Sequence, residues 1–183
     1  MKKNQSGFSY IDVMIGITIL LVGVLAMVAA ITRAIATTTN TQEMLVAKQM
    51  ASSTMEGIFT ARELELNGFG WGSIGNVGSS TIPGGLFVTG EQGIYPTPGA
   101  DGVIGTADDA RGPDNIAGNA DDGYPVPGYL RTITIVDIPN PIRPNDQSLR
   151  RVDVTISYWV GGRRRTETFT SFIANYRTVE DVS

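Results

Sequence analysis

The densest group of chemically active side chains in this sequence is a repeat of aspartates in the middle of the chain. A pattern that begins at Asp101 recurs thirteen residues later at Asp114, with the same glycine, alanine and paired-aspartate positions. Its acidic members are Asp101, Asp108, Asp109, Asp114, Asp121 and Asp122. Arg111 is the only basic residue among them, so residues 101–122 carry a net charge of −5.

Two interpretations of this repeat stay open. Ca²⁺ takes about six to eight oxygen ligands, and turns broken by glycine let carboxylates and backbone carbonyls converge on one ion. On this interpretation the six aspartates hold Ca²⁺ as a cofactor. The spacing differs from that of the helix-loop-helix calcium motif. A solvated acidic loop without an ion accounts for the same composition.

Catalytic residues of the usual kinds are missing from the sequence. The chain has neither histidine nor cysteine, which removes thiol catalysis, disulfides and the commonest general base. No phosphate-binding loop or dinucleotide fingerprint follows a strand. Arg163, Arg164 and Arg165 flank a glycine turn and favour a solvated hairpin end over a phosphate site. We expect no enzymatic activity, and the net charge of −4 gives no reason to expect nucleic acid as a partner.

One more carboxylate lies in an unusual place, near the N-terminus. Asp12 is the only charged residue within residues 8–31, an apolar run of 24 residues. As a helix this run would extend about 36 Å, enough to cross a hydrocarbon layer of about 30 Å. A carboxylate at mid-bilayer costs on the order of 2.5–3.5 kcal/mol. Asp12 therefore calls for a positively charged partner.

A cut between Gly7 and Phe8 would supply that partner. The new α-amino group would lie four residues before Asp12 and at the same depth in a neighbouring copy. Two simpler interpretations compete. An ordinary secretory signal would use the small residues from Ala26 to Ala30 as its cleavage site, but its apolar region would be shorter. A plain signal anchor oriented by Lys2 and Lys3 leaves Asp12 unexplained.

The leader lysines, the Gly7–Phe8 junction and Asp12 resemble the prepilin-type signal of type IV pilins and of the pseudopilins of type II secretion. The resemblance implies that a membrane prepilin peptidase cuts after Gly7 and that Phe8 is then N-methylated. It gives Asp12 the role of the family's acidic assembly residue, which is normally glutamate. No proline occurs from residue 8 to residue 66, which favours a minor subunit over a major one. Residues 149–175 are similar, more weakly, to the C-terminal region of pilus modification minor pilins.

The resemblance makes residues 1–7 a leader peptide and makes the long helix that follows the spine of the subunit. The absence of proline predicts that residues 8–31 and 32–66 form the transmembrane and amphipathic halves of this one helix. Residues 67–128 hold 16 of the 22 glycines and six of the nine prolines, a composition typical of loops. Leu86, Phe87 and Val88 indicate one short strand there.

Strand patterns return in residues 129–183. Segments 130–138, 151–160 and 163–174 are the predicted strands, and Gly161 and Gly162 form a hairpin turn between the last two. In the middle strand apolar residues alternate with mostly polar ones. The predicted fold class is α+β and pilin-like, with a long N-terminal helix packed on a head of three or four antiparallel strands.

These observations predict a minor pilin or pseudopilin, a non-enzymatic subunit that helps to initiate, assemble or modify a type IV pilus or a type II secretion pseudopilus. The resemblance implies several partners: other pilin or pseudopilin subunits, the prepilin peptidase, the inner-membrane assembly platform and membrane lipid. It also implies a single-pass protein of the cytoplasmic (inner) membrane with a periplasmic head, later found in the pilus or at the cell surface. The alternative is a membrane-anchored extracytoplasmic module whose acidic loop binds calcium or another ligand.

Overall fold

The computed structural model describes residues 9–64, 69–116, 122–142 and 147–175. A single helix, α1, spans Tyr10–Glu63. Four strands follow: β1 (Gln92–Gly93), β2 (Tyr129–Asp137), β3 (Leu149–Val160) and β4 (Arg163–Ala174). Short 3₁₀ turns lie at Trp71–Ser73 and Asp109–Arg111. The predicted α+β class is confirmed, with the long N-terminal helix packed on an antiparallel sheet of four strands.

The chain divides into two compact units, Met1–Gln42 and Glu43–Ser183. In the first unit the described residues are helical from Tyr10 onward, and every one of them is exposed. This part of α1 is long and apolar enough to cross a membrane, by length and composition. Its threonines do not interrupt the apolar character, because their hydroxyls donate to backbone carbonyls one turn earlier, as Thr18 does to Met14 at 2.8 Å.

The sheet of the second unit is a meander in the order β1-β2-β3-β4, and every neighbouring pair is antiparallel. The predicted hairpin is confirmed. Val160 pairs with Arg163, and the turn residues Gly161 and Gly162 have φ angles of 56° and 76°. Positive φ at both turn positions matches the right-handed twist of the strands and strongly favours glycine.

The core forms where α1 lies against the inner face of the sheet. The helix contributes a stripe of mostly small buried residues: Ala47, Ala51, Thr54, Ile58 and Ala61. They recur at alternating intervals of four and three, so they lie on one side of the helix. From the sheet come the alternating residues Val152, Val154, Ile156 and Tyr158. The two sets of side chains belong to one hydrophobic core.

The loop-rich region between α1 and β2 contributes more to the core than its composition suggested. Five of its apolar side chains are buried: Ile74, Ile82, Phe87, Ile94 and Val103. The short strand predicted at Leu86, Phe87 and Val88 is wrong, since Phe87 makes only an isolated parallel bridge with Asn76. The fourth strand is β1 instead, a two-residue segment that pairs with Leu130 and Arg131 of β2.

Asn76 takes the place of a missing strand beside β2. Its buried side-chain amide accepts from the N–H of Ile135 at 2.7 Å and donates to the carbonyl of Ile133 at 2.8 Å. One side chain thus satisfies two backbone groups at the edge of β2 and anchors the preceding loop to the sheet.

We expect Asn76→Ala to lower the free energy of unfolding by about 2–3 kcal/mol, because it leaves two buried backbone groups without partners. Urea unfolding in detergent micelles, followed by tryptophan fluorescence, measures this change. Thr134→Ala, at an exposed position of the same strand, is the matched control and should change stability by less than about 0.5 kcal/mol. Equal stability of the Asn76 variant and the wild type would contradict the edge-capping role.

Candidate functional site

The N-terminal candidate residues are only partly covered by the structure. Gly7 and Phe8 lie outside the described residues, whereas Asp12 lies in the first turn of α1. Its carboxylate accepts a long hydrogen bond of 3.3 Å from the backbone N–H of Ser9. An acidic side chain is favourable there because the first backbone N–H groups of a helix lack intrahelical partners. Asp12 is therefore held at the N-terminal end of the helix.

The first copy of the aspartate repeat folds into a tight polar turn. The N–H of Asp101 donates to the Asp108 carboxylate at 3.0 Å, and the N–H of Val103 donates to the Asp101 carboxylate at 2.8 Å. The hydroxyl of Thr106 donates to the second oxygen of Asp108 at 2.7 Å. The carboxylate oxygens of these two aspartates therefore accept hydrogen bonds from groups of the loop itself.

Burial and hydrogen bonding from the loop shift the pKa values of the Asp101 and Asp108 carboxyls in opposite directions. Partial burial raises the pKa of Asp101, and the hydrogen bond from the Val103 N–H only partly offsets it. Burial also disfavours the charged form of Asp108, but the hydrogen bonds from Thr106 and from the Asp101 N–H outweigh it, so the pKa of Asp108 is lowered. The pair thus holds one carboxyl that ionises readily beside one that ionises less readily.

Asp109 pairs with a strand residue as well as with the loop. Its carboxylate lies 3.2 Å from the guanidinium of Arg131 on β2, and the two side chains are only 2% and 4% exposed. The same carboxylate oxygen accepts from the N–H of Gly105 at 2.7 Å. Arg131 also contacts the hydroxyl of Thr54 on α1 at 3.4 Å. One ion pair thus ties loop, sheet and helix together.

Desolvation dominates the electrostatics of this pair. Burial raises the pKa of Asp109 above its usual value, although the Gly105 N–H and Arg131 both act to lower it. Burial likewise lowers the pKa of Arg131, and Asp109 opposes that shift. A cavity of about 180 Å³ lies beside the pair and is lined by Tyr95, Thr106 and both charged residues. Arg131 and the Gly105 N–H share one oxygen of Asp109, and its other oxygen is buried without a hydrogen-bond partner among the described residues.

The second copy of the repeat is described only in part. The Asp114 carboxylate accepts from the N–H of Ile116 at 2.9 Å in an exposed turn. Asp121 lies outside the described residues, and Asp122 is half-buried. Among the described residues no group of three or more acidic side chains is arranged to hold a metal ion. The structure thus brings Asp101 and Asp108 together and separates Asp109 from them, and calcium binding stays a prediction.

Sequence reasoning missed the partner of Asp109, although a signal was present. Arg131 alternates with Ile133 and Ile135 along β2, and all three side chains are buried. A charged residue in register with an apolar strand face requires a buried partner of opposite charge. The sequence offered several aspartates for that role, and only the folded loop selects Asp109.

Comparisons with protein-family models, curated proteins and solved structures found no match for this chain. The assignment of function therefore rests on the residues and the geometry described above.

We expect Arg131→Met to lower the free energy of unfolding by about 3–5 kcal/mol, because it leaves the Asp109 carboxylate buried and unpaired. The double variant Arg131→Met with Asp109→Asn should recover part of this loss, since the amide oxygen of asparagine can still accept from the Gly105 N–H. The control is Arg151→Met on β3, whose side chain is 48% exposed and should contribute less than about 1 kcal/mol.

The loss in the free energy of unfolding caused by Arg131→Met should also depend on pH. In the single variant the folded-state pKa of Asp109 should rise further, since its neutralising partner is gone. A carboxyl with a raised folded-state pKa destabilises the fold as pH rises from its unfolded pKa through its folded pKa. Unfolding curves of wild type and Arg131→Met should therefore converge toward acid pH and diverge toward neutral pH. A gap that does not change with pH would show that packing alone, and not charge, causes the loss.

Proposed function

We propose that this chain is a minor pilin or pseudopilin, a non-enzymatic subunit that helps to initiate, assemble or modify a type IV pilus or a type II secretion pseudopilus. The observation that carries the proposal is one coincidence of features at the N-terminus. A Gly7–Phe8 junction, an acidic residue at position 12 and an apolar run occur together. Residues 10–31 of that run lie in α1, and all of them are exposed.

The helix supports the proposal through its length and its two environments. At about 1.5 Å per residue, residues 10–31 of α1 extend about 33 Å. Within the described residues the N-terminal part buries none of its apolar side chains. On this proposal, membrane lipid or the helices of other subunits cover them. The C-terminal part supplies the helical side of a folded head.

The head supports a structural role over a catalytic one. In its described residues the buried Asp109, Arg131 and Arg150 lie in ion pairs, Asp109 with Arg131 and Arg150 with Asp137. With no histidine or cysteine in the chain, nothing there resembles an activated nucleophile. On this proposal the protein is inserted in the inner membrane with its head in the periplasm, is processed by a prepilin peptidase, and enters a filament through the assembly platform.

The processing step gives the most direct test. Mass spectrometry of protein from its native host should show a mature chain that starts at Phe8 with a methylated amine. Gly7→Leu should abolish the cut, whereas Ser6→Ala, one residue earlier in the leader, should leave it intact. A native chain that begins at Met1, or one cut after Ala30, would overturn the proposal and favour a signal anchor or a secreted module.

Asp12 provides a second, independent test. If its carboxylate pairs with the terminal amine of a neighbouring subunit, Asp12→Ala should reduce incorporation into filaments by at least about tenfold, the equivalent of one ion pair of about 1.4 kcal/mol or more. Membrane insertion should stay normal because the variant is more apolar. Asp12→Glu keeps the charge and should be incorporated. Immunoblots of sheared filaments and of membranes measure both quantities, and normal incorporation of Asp12→Ala would rule out the pairing.

A further inference from the structure

The head ends in an open sheet edge. Strand β4 is the last strand in the order β1-β2-β3-β4, and it pairs along all twelve of its residues with β3. Among the described residues no strand pairs with its other side. A long unpaired edge exposes a row of backbone donors and acceptors that another chain can join, and proteins usually block such edges.

The opposite edge of the same sheet is blocked. Strand β1 pairs with Leu130 and Arg131 near the start of β2. Farther along, the amide of Asn76 occupies the backbone groups of Ile133 and Ile135. The two edges therefore differ: side chain and strand close the β2 edge, whereas the cover described on the β4 edge is at its end, where the guanidinium of Arg62 lies 3.5 Å from the carbonyl of Ala174.

The outward-facing groups of β4 follow from the hydrogen bonds at its end. The N–H of Asn175 donates to the carbonyl of Ser148 at 2.7 Å, so Asn175 faces toward β3. Along a strand, the backbone N–H and C=O groups of successive residues point alternately to its two sides. The backbone groups of the even-numbered residues therefore point away from β3. These are Arg164, Thr166, Thr168, Thr170, Phe172 and Ala174.

The charge of β4 indicates what could bind there. It begins with three consecutive exposed arginines, Arg163, Arg164 and Arg165, and Glu167 is its only acidic residue. The strand therefore carries a net charge of +2, whereas the whole chain carries −4. A second copy of this chain that added its own β4 to this edge would bring together two strands that each carry +2. An acidic segment would meet an attractive field at one end of the edge.

We propose that the outer edge of β4 binds an extended acidic segment of another protein, which adds to the sheet as an antiparallel strand. Its carboxylates lie at its C-terminal end, beside Arg163 and Arg165, because antiparallel pairing places that end next to the start of β4. Backbone hydrogen bonds supply the affinity, and the arginines set the direction of the segment. This inference stands whether or not the chain enters a filament.

The test uses the full chain in detergent micelles and two labelled peptides as long as β4. Both alternate threonine and valine. One has a cluster of glutamates at its C-terminal end, and the other has the same cluster at its N-terminal end. Fluorescence anisotropy should show at least about tenfold tighter binding of the first peptide, because only it places the carboxylates beside the arginines. Salt should reduce this difference.

Two variants locate the binding on the edge. Thr168→Pro removes an outward N–H that makes no bond to β3, so the fold should persist and binding of the first peptide should weaken by about tenfold. Thr168→Val is the matched control, because it loses the same hydroxyl but keeps the N–H, and it should bind as the wild type does. A variant with Arg163→Ala and Arg165→Ala leaves the backbone intact and should remove the preference between the two peptides.

Three results would overturn the proposal. The first is equal binding of both peptides by the wild type. The second is unchanged binding by a folded Thr168→Pro variant. The third is concentration-dependent self-association that Thr168→Pro abolishes, which would assign the edge to a second copy of this chain.

Discussion

The packing of helix α1 on the inner face of the sheet is the constraint on which the rest of the head depends. Alanines at positions 47, 51 and 61 and Ile58 of the helix are buried in one core with the valines and isoleucines of β3. A larger residue in place of one of these alanines would displace the helix and open voids around Ile58. Because interiors are packed as densely as organic crystals, such voids cost stability directly.

Polar side chains hold the loop-rich region against this core. Asn76, Asp101, Asp108 and Asp109 each accept from backbone N–H groups that no helix or strand satisfies. A chain rich in glycine and proline cannot form long ladders of backbone bonds, so side chains take over that task. The acidity of the repeat, which first indicated a cation site, thus has a structural use for the three of its aspartates that lie in the first copy.

The same helix serves two environments, and its side chains change accordingly. Within residues 10–31 the apolar residues surround the whole helix and are exposed, as expected of a segment covered by lipid or by other helices. From residue 47 onward the buried residues lie on one side only. The proposed role as a filament subunit uses both parts, since the first would join the shared helical bundle and the second would carry the head.

Local patterns in the sequence were sufficient to predict the long helix, the strands of residues 129–175 and the glycine hairpin. Helix and strand periodicity, the absence of proline, and glycines that tolerate positive φ are properties of neighbouring residues, so no tertiary information is needed. The N-terminal junction at Gly7 and Phe8 and the acidic Asp12 are likewise visible in the sequence alone, and they still carry the proposed function.

Only the tertiary structure decided the long-range polar contacts. Asn76 joins β2 across 57 and 59 residues of sequence, and Asp109 meets Arg131 across 22 residues. The alanine stripe escaped notice because a search for large apolar residues passes over small ones, and their burial depends on how close the sheet lies. The periodicity of the sequence does not show which of the six aspartates faces an arginine, because the path of an irregular loop determines that pairing. Composition sets the elements that form, and the packing of the loop on the sheet selects the side chains that become partners.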